Sequence, residues 1–267
     1  MADGRAQRPR CVVVSYPDAG RWATLRGSAF ALGADAERPR PSEEKMTVTE
    51  PLPVVDAVRR SLEIDEQAPG AAGRSRVALT LTTNIARAPA RLWPLLTTPR
   101  ALAHWFGPVD GELREGGRFE APGGAGGRIL QVQEPHRLGL TWRRGAEGAE
   151  EDPLLVQLDP EDDGTTRLVL RHTALLDAEE FARTGPGSLA LGWELALLAL
   201  AAHTDGWHAT CLVPVPSPGP DWLHGPEGGT YVRAWAVRWA AEAVAAGVDE
   251  ATARQGESDL VRRHLGS

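Results

Sequence analysis

Between Ser188 and Ala202 the chain carries a single charged residue, Glu194, in a run otherwise made of alanine, leucine, glycine, serine and tryptophan. A run of that length gives about four helical turns. As a helix it is apolar nearly all round, so it has to be buried on more than one side. One flank calls for a sheet and the opposite flank for a second cover.

The sheet is legible upstream. Val77, Leu79, Leu81, Thr83 and Ile85 alternate with polar or small residues, the period of a half-buried strand. The same spacing recurs at Leu138, Leu140 and Trp142, at Leu154, Val156 and Leu158, and at Leu168, Leu170 and His172. Shorter strands are expected at Glu112–Leu113 and Arg118–Ala121, around the turn Gly116-Gly117, and at Arg128–Glu134 with Leu130 and Val132 on one face. The acidic stretch Gly145–Asp152 reads as an exposed hairpin loop and Asp162-Asp163-Gly164 as a turn.

Between the first strand and the others, Pro89 opens a short helix with Leu92, Trp93, Leu95 and Leu96. Pro94 makes it short or irregular, since proline removes a helical hydrogen bond. Pro99 opens a second short helix ending near Trp105-Phe106. Asp177 with Glu180 three residues on reads as a helix start, and Ser188 as the cap of the long helix.

The cover for that helix is expected from the C-terminal segment. After the proline-rich connector Pro214–Pro220, Tyr231, Trp235 and Trp239 fall at i, i+4 and i+8, a stripe that marks a packing face. Asp249 then caps a last helix toward His264. At the other end, Val54, Val55, Val58 and Leu62 suggest a helix over 51–62, followed by a linker around Pro69-Gly70. The division expected is an extension over 1–45 that is disordered or precedes a true start at Met46, a short helix and linker over 46–75, a domain over 76–207 and a helical extension over 208–267.

Composition narrows the function classes. A net charge of -7 and no run of lysine or arginine argue against nucleic acid as a partner. No apolar run approaches the roughly 20 residues a membrane span needs. Cys11 and Cys211 stand far apart with no metal or redox spacing, so the expectation is a cytoplasmic protein with no disulfide framework. Lys45 is the only lysine and Asn84 the only asparagine, a bias expected of a GC-rich bacterial genome.

Several local motifs occur together in one order. Ile85 through Trp93 resembles "I-x-A-P-x-x-V/L-W". Pro99 through Phe106 resembles "P-x-x-L-x-x-W-F/W". Gly116-Gly117-Arg118-Phe119 resembles "G-G-x-F", and Glu134-Pro135-His136-Arg137-Leu138 through Trp142 resembles "E-P-x-R-L-x-x-T/S-W". Thr165–Ala174 looks like a "T-x-V-x-L-x-H" strand and Gly192-Trp193 like the start of a long helix. The chain thus resembles the SRPBCC, or START-like, superfamily in its activator-of-Hsp90-ATPase-homologue (AHSA1-like) branch, over about half its length. The tail beyond Trp207 is similar to an extension of some actinobacterial members, and departs from it at Arg262-Arg263-His264-Leu265-Gly266.

That resemblance implies an α+β helix-grip fold, a curved antiparallel sheet wrapped on a long helix with an apolar cavity between them. It implies a small hydrophobic ligand. The rival readings are a polyketide-cyclase-like enzyme and a chaperone or regulatory protein partner, and fold alone does not choose among them. Inward strand positions and the long helix nominate Trp105, Phe119, Trp142, His172, Trp193 and Glu194 as ligand-binding residues, with no cofactor. Each aromatic serves equally as plain core. His172, inward on its strand, either orients a ligand or exchanges a proton, or is a hydrogen-bonded core histidine. No residue stands in a nucleophile motif. His203, Asp205 and His208 straddle Gly206 and lack the fixed geometry of a helical metal site.

Overall fold

The computed structural model describes residues 52–65, 73–145, 149–204, 206–207 and 214–266. The expectations for 1–45, Met46, Cys11, Asp205, His208 and Cys211 fall outside them. The elements run α1 Leu52–Val55, β1 Arg59–Asp65, β2 Arg74–Ile85, α2 Pro89–Thr97, α3 Pro99–Leu102, β3 Asp110–Gly111, β4 Arg118–Glu120, β5 Gly126–Gln133, β6 Arg137–Arg143, β7 Glu151–Pro160 and β8 Thr166–Asp177. Helices follow: α4 Ala178–Thr184, α5 Gly187–His203, α6 Pro220–His224, α7 Pro226–Ala245 and α8 Glu250–Leu265. The strands form one open, curved antiparallel sheet in the order β1-β2-β8-β7-β6-β5-β4-β3. With α5 against its inner face this is the α+β helix-grip arrangement.

The longest pairing joins β2 to β8, in register from Arg74↔Asp177 to Ile85↔Thr166. Its inward residues are the alternating positions read from the sequence: Val77, Leu79, Leu81, Leu168, Leu170 and His172 are all buried. Four local expectations need correction. The short strand expected at Glu112–Leu113 stands instead at Asp110–Gly111, where it pairs with β4. The stretch 51–62 is not one helix: α1 ends at Val55, and Arg59–Asp65 pairs with β2 as an edge strand from Arg59↔Thr82 to Asp65↔Arg76. Leu130 does not share the inner face with Val132. A register shift between Ile129 and Gln131 turns Ile129 inward, 5% exposed, and Leu130 outward, 55% exposed. The acidic loop also ends earlier than expected, because β7 begins at Glu151 and Asp152 is buried on the sheet.

Helix ends follow their chemistry. Asp177 accepts a hydrogen bond from the Glu180 N–H at 2.8 Å, and Asp249 accepts from the N–H groups of Ala251 and Thr252. α5 starts at Gly187, one residue before the expected cap. α2 continues through Pro94. Ala90, whose carbonyl loses its partner there, is exposed and open to water.

α5 has its second cover. α7 lays Tyr231, Trp235 and Trp239 into the core, and all three are buried. Burying such side chains contributes about 1.5–3 kcal/mol each. α8 packs on α7 and α4 through Ala253, Gly256 and Leu260. Gly256 is fixed by closeness: a Cβ there would lie 3.0 Å from the Gly185 nitrogen and 3.1 Å from the Thr184 oxygen. The aromatic-poor end of the tail therefore packs through small residues. Among the described residues no single helix is long and apolar enough to cross a membrane.

Candidate functional site

The sheet and α5 do not meet everywhere. A cavity of about 150 Å³ separates them, and its exposed lining residues, Pro99 on α3 and Asp110, Gly111, Glu112 and Leu113 at and after β3, place its mouth there. Its floor is the inward face of the sheet, Leu138, Leu140, Leu154, Val156, Leu168 and Leu170. Its roof is one flank of α5, Trp193, Ala196, Leu197 and Leu200, at the i, i+3, i+4, i+7 spacing that puts residues on one helix face.

Aromatic rings line much of the rest, with Thr97, Asp110 and Glu112 as the polar side chains among the lining residues. Trp142 stands among Phe119, Phe106 and Trp193, its ring centroid 5.9, 6.3 and 5.0 Å from theirs, and Trp105 lies 5.5 Å from Phe106. Two of these contacts, Phe106–Trp142 and Trp142–Trp193, are edge-on, a preferred geometry of aromatic pairs. Two indole N–H groups are committed to the protein: Trp105 Nε1 donates to the Leu95 carbonyl and Trp193 Nε1 to His172 Nδ1, both at 3.0 Å. The Thr97 hydroxyl donates to the Trp93 carbonyl at 2.8 Å.

Of the six residues nominated from sequence, Trp105, Phe119, Trp142 and Trp193 line this cavity. His172 and Glu194 lie outside its wall, for different reasons. His172 is inward but sits behind Trp193, its ring perpendicular to the indole at 5.7 Å. Burial, with a lesser contribution from the Arg144 charge, pushes its pKa down to about 3. The neutral ring accepts at Nδ1, so its proton is on Nε2. That N–H has no hydrogen-bond partner among the described residues and lies 3.8 Å from Asp152 Oδ2. Asp152 is itself pushed upward by burial, against the pull of Arg144, whose Nη2 is 3.3 Å away.

Glu194 is one residue from Trp193 and therefore about 100° around the helix. It faces α7 instead of the cavity. Its Oε1 accepts from Arg60 Nε at 2.6 Å and from Trp239 Nε1 at 2.8 Å, and its Oε2 from Arg60 Nη2 at 2.9 Å. Burial pushes its carboxyl upward, opposed by the Arg60 guanidinium and the Trp239 N–H. Sequence reading missed Phe106 as a wall residue, though its motif contained it, and missed Arg60 and Asp152 altogether. Each of those two acts on a partner far away in sequence.

The arrangement is suited to holding an apolar body. His172 is sealed behind Trp193 and Glu194 lies on the far flank of α5, while the exposed carboxylates of Asp110 and Glu112 stand among the lining residues. Among the described residues no three His, Cys, Asp or Glu side chains come together that could hold a metal ion. His203 stacks on His104, rings 6.3 Å apart and 6° from parallel.

Comparison with known proteins agrees with the architecture. Residues 86–205 match the family model described as Activator of Hsp90 ATPase homolog 1-like protein, so the chain carries an AHSA1-like domain there. The solution structure of CalU16 from Micromonospora echinospora is 25% identical with a TM-score of 0.51, the match covering 72% of this chain and 97% of that one. The crystal structure of CalU16 is 28% identical with a TM-score of 0.44, covering 54% and 83%. The HSP90 activator PFC0360w from Plasmodium falciparum is 21% identical with a TM-score of 0.34, covering 36% and 71%. No curated protein matches the chain.

Proposed function

We propose that this AHSA1-like domain binds a small apolar ligand in the cavity between the sheet and α5, with Trp105, Phe119, Trp142 and Trp193 as its ligand-contacting residues. The observation that carries the reading is the cavity itself, about 150 Å³ walled by aliphatic side chains and by rings packed edge-on. A void of that size has room for a benzene-sized guest, whereas sites for drug-sized molecules run to about 300–1,000 Å³. The enclosed part of the ligand is therefore a single ring or a short branched chain, and anything larger extends through the mouth beside Leu113.

The same geometry weighs against acid–base catalysis by the two groups the sequence offered. His172 Nδ1 is taken by Trp193 and the ring resists protonation, while Glu194 is held by Arg60 and Trp239. We take the ligand-binding body to begin at β1, upstream of residue 76, because Arg60 ties that strand to α5.

Native mass spectrometry of the protein from its own host, followed by denaturing extraction, tests the reading. A co-purifying mass lost on denaturation supports it. Toluene binding to the purified protein supports it too, and Ala196→Phe, which fills the cavity from the roof, should abolish that binding. A bare protein mass together with no toluene binding would overturn it.

A further inference from the structure

His172 is fully buried on β8, facing inward behind the cavity wall without lining it. A leucine there would continue the apolar row of Leu168 and Leu170 and leave no polar group to be paired. What the histidine supplies instead is one acceptor. Its Nδ1 takes the Trp193 Nε1–H at 3.0 Å, with the two rings perpendicular.

The ring is placed for that bond and misses another. Its Nε2–H lies 3.8 Å from Asp152 Oδ2, too far for a hydrogen bond, and has no partner among the described residues. Asp152 is held in turn by Arg144 at 3.3 Å and by the Leu175 backbone N–H. A buried donor left unpaired destabilises a fold. A ring that stops short of a carboxylate so close to it is therefore fixed from its other side, by Trp193. Burial also keeps the imidazole neutral, and only a neutral ring has an Nδ1 that accepts.

Trp193 belongs to the cavity roof and meets Trp142 edge-on at 5.0 Å. An indole is asymmetric, so the bond to His172 decides which edge turns to the sheet and which surface the roof presents. We infer that His172 is a positioning residue of this site: its Nδ1 holds the Trp193 indole in the orientation in which the roof receives a ligand. This rests on the binding reading above and deepens it, because it makes the shape of the roof depend on a residue outside the cavity wall.

Asparagine and leucine branch alike, and only asparagine places an acceptor where Nδ1 stands. Toluene binding is measured by calorimetry to the full chain, to His172→Asn and to His172→Leu, with urea unfolding of each. His172→Leu should weaken toluene about three- to tenfold, as the competent orientation loses one neutral hydrogen bond, and His172→Asn less than about twofold. Asparagine buries an amide that leucine does not, so His172→Asn should be the less stable of the two. A role confined to stability would leave the two affinities equal or ranked with stability. In Trp193→Phe, which has no donor, exchanging asparagine for leucine at 172 should change toluene affinity less than about twofold.

Should the variants at 172 fold poorly, the sulfur analogue benzothienylalanine at 193 preserves the bicyclic shape without the donor. It too should weaken toluene about three- to tenfold. Unchanged affinity there, equal affinities for His172→Asn and His172→Leu, or a difference between them that survives in Trp193→Phe would overturn the inference while leaving cavity binding intact. If toluene does not bind the wild type, the cavity reading fails and this inference with it.

Discussion

Removing the carboxylate of Glu194 should damage the fold more than removing any residue that lines the cavity mouth. The Arg60 and Glu194 side chains are 4% and 1% exposed, joined by two charge-assisted hydrogen bonds, with Trp239 Nε1 as a third donor. Arg60 also donates to the Val58 and Val55 carbonyls, at 2.6 and 3.1 Å. Glu194→Met keeps the volume and leaves a buried guanidinium with those two carbonyls and the charge of Glu242 on α7, which also acts on Arg60. Breaking a buried pair in this way is destabilising by about 3–5 kcal/mol, against a total of roughly 5–15 kcal/mol for a folded domain. Arg60→Met should cost a similar amount, because it strands the carboxylate. The double variant removes both charges and leaves chiefly the Trp239 N–H unpaired, a loss of about 1–3 kcal/mol. It should therefore be more stable than either single variant, and adding Trp239→Phe should recover part of the remainder. Urea unfolding followed by circular dichroism gives these values from the midpoints, provided the slopes are unchanged. If Glu194→Met loses under about 1 kcal/mol, or the two single losses simply add, the cluster is not the coupled unit described.

The bulge in β5 predicts opposite outcomes for neighbours: Ile129→Ala should lose about 2–5 kcal/mol as a core truncation, whereas Leu130→Lys should stay within about 0.5 kcal/mol, both read by urea unfolding. His172 makes stability depend on pH with a defined sign. Its folded pKa of about 3 lies below the ordinary histidine value of 6.5, so the unfolded chain binds the extra proton. Stability from this group is complete above pH 6.5 and falls by about 1.4 kcal/mol per unit as pH drops toward 3. The difference between wild type and His172→Gln, measured across that window, should carry this slope. Gly127→Ala should be severely destabilising, since a Cβ there would come 2.0 Å from the Thr141 carbonyl oxygen and overpacking of this kind costs about 1–3 kcal/mol or more.

The parts of this fold legible in the sequence are those whose signal is local and periodic. Leu138, Leu140 and Trp142 announce a strand face, and Tyr231, Trp235 and Trp239 a helix face, because burial repeats with the backbone's own period. Asp177 and Asp249 are legible because a cap bonds to N–H groups two or three residues away. What escaped reading depends on distant partners or a single inserted residue. In β1 Leu62 is the one buried apolar residue, and its spacing from Val54, Val55 and Val58 happens to mimic a helix, so the strand shows itself only in its pairing with β2. The β5 bulge moves one residue out of step, and nothing in the apolar pattern Ile129-Leu130 says which of the two faces inward. Asp152 sits at the end of an acidic stretch, and only the registers Trp142↔Asp152 and Leu154↔His172 bring it to the histidine.

The candidate site shows the same division within one helix. Trp193 and Glu194 are adjacent, both buried, and both were read as pocket residues, yet a turn of about 100° sends one to the cavity and the other to α7. A helix without a polar face offers no internal clue to which flank meets which neighbour. The lone charge resolves it, because a carboxylate can enter the core only where a cation and an N–H already wait, and Arg60 and Trp239 lie on the side away from the sheet's hollow. Arg60 belongs to the edge strand and Trp239 to the C-terminal helix, so this one carboxylate joins the beginning of the sheet to the tail. The orientation of α5, and with it the placing of Trp193, Ala196, Leu197 and Leu200 over the cavity, is therefore set in part by residues outside the family-matched stretch 86–205. Truncating the tail before α7 should thus expose the Glu194 flank and disturb the cavity roof together.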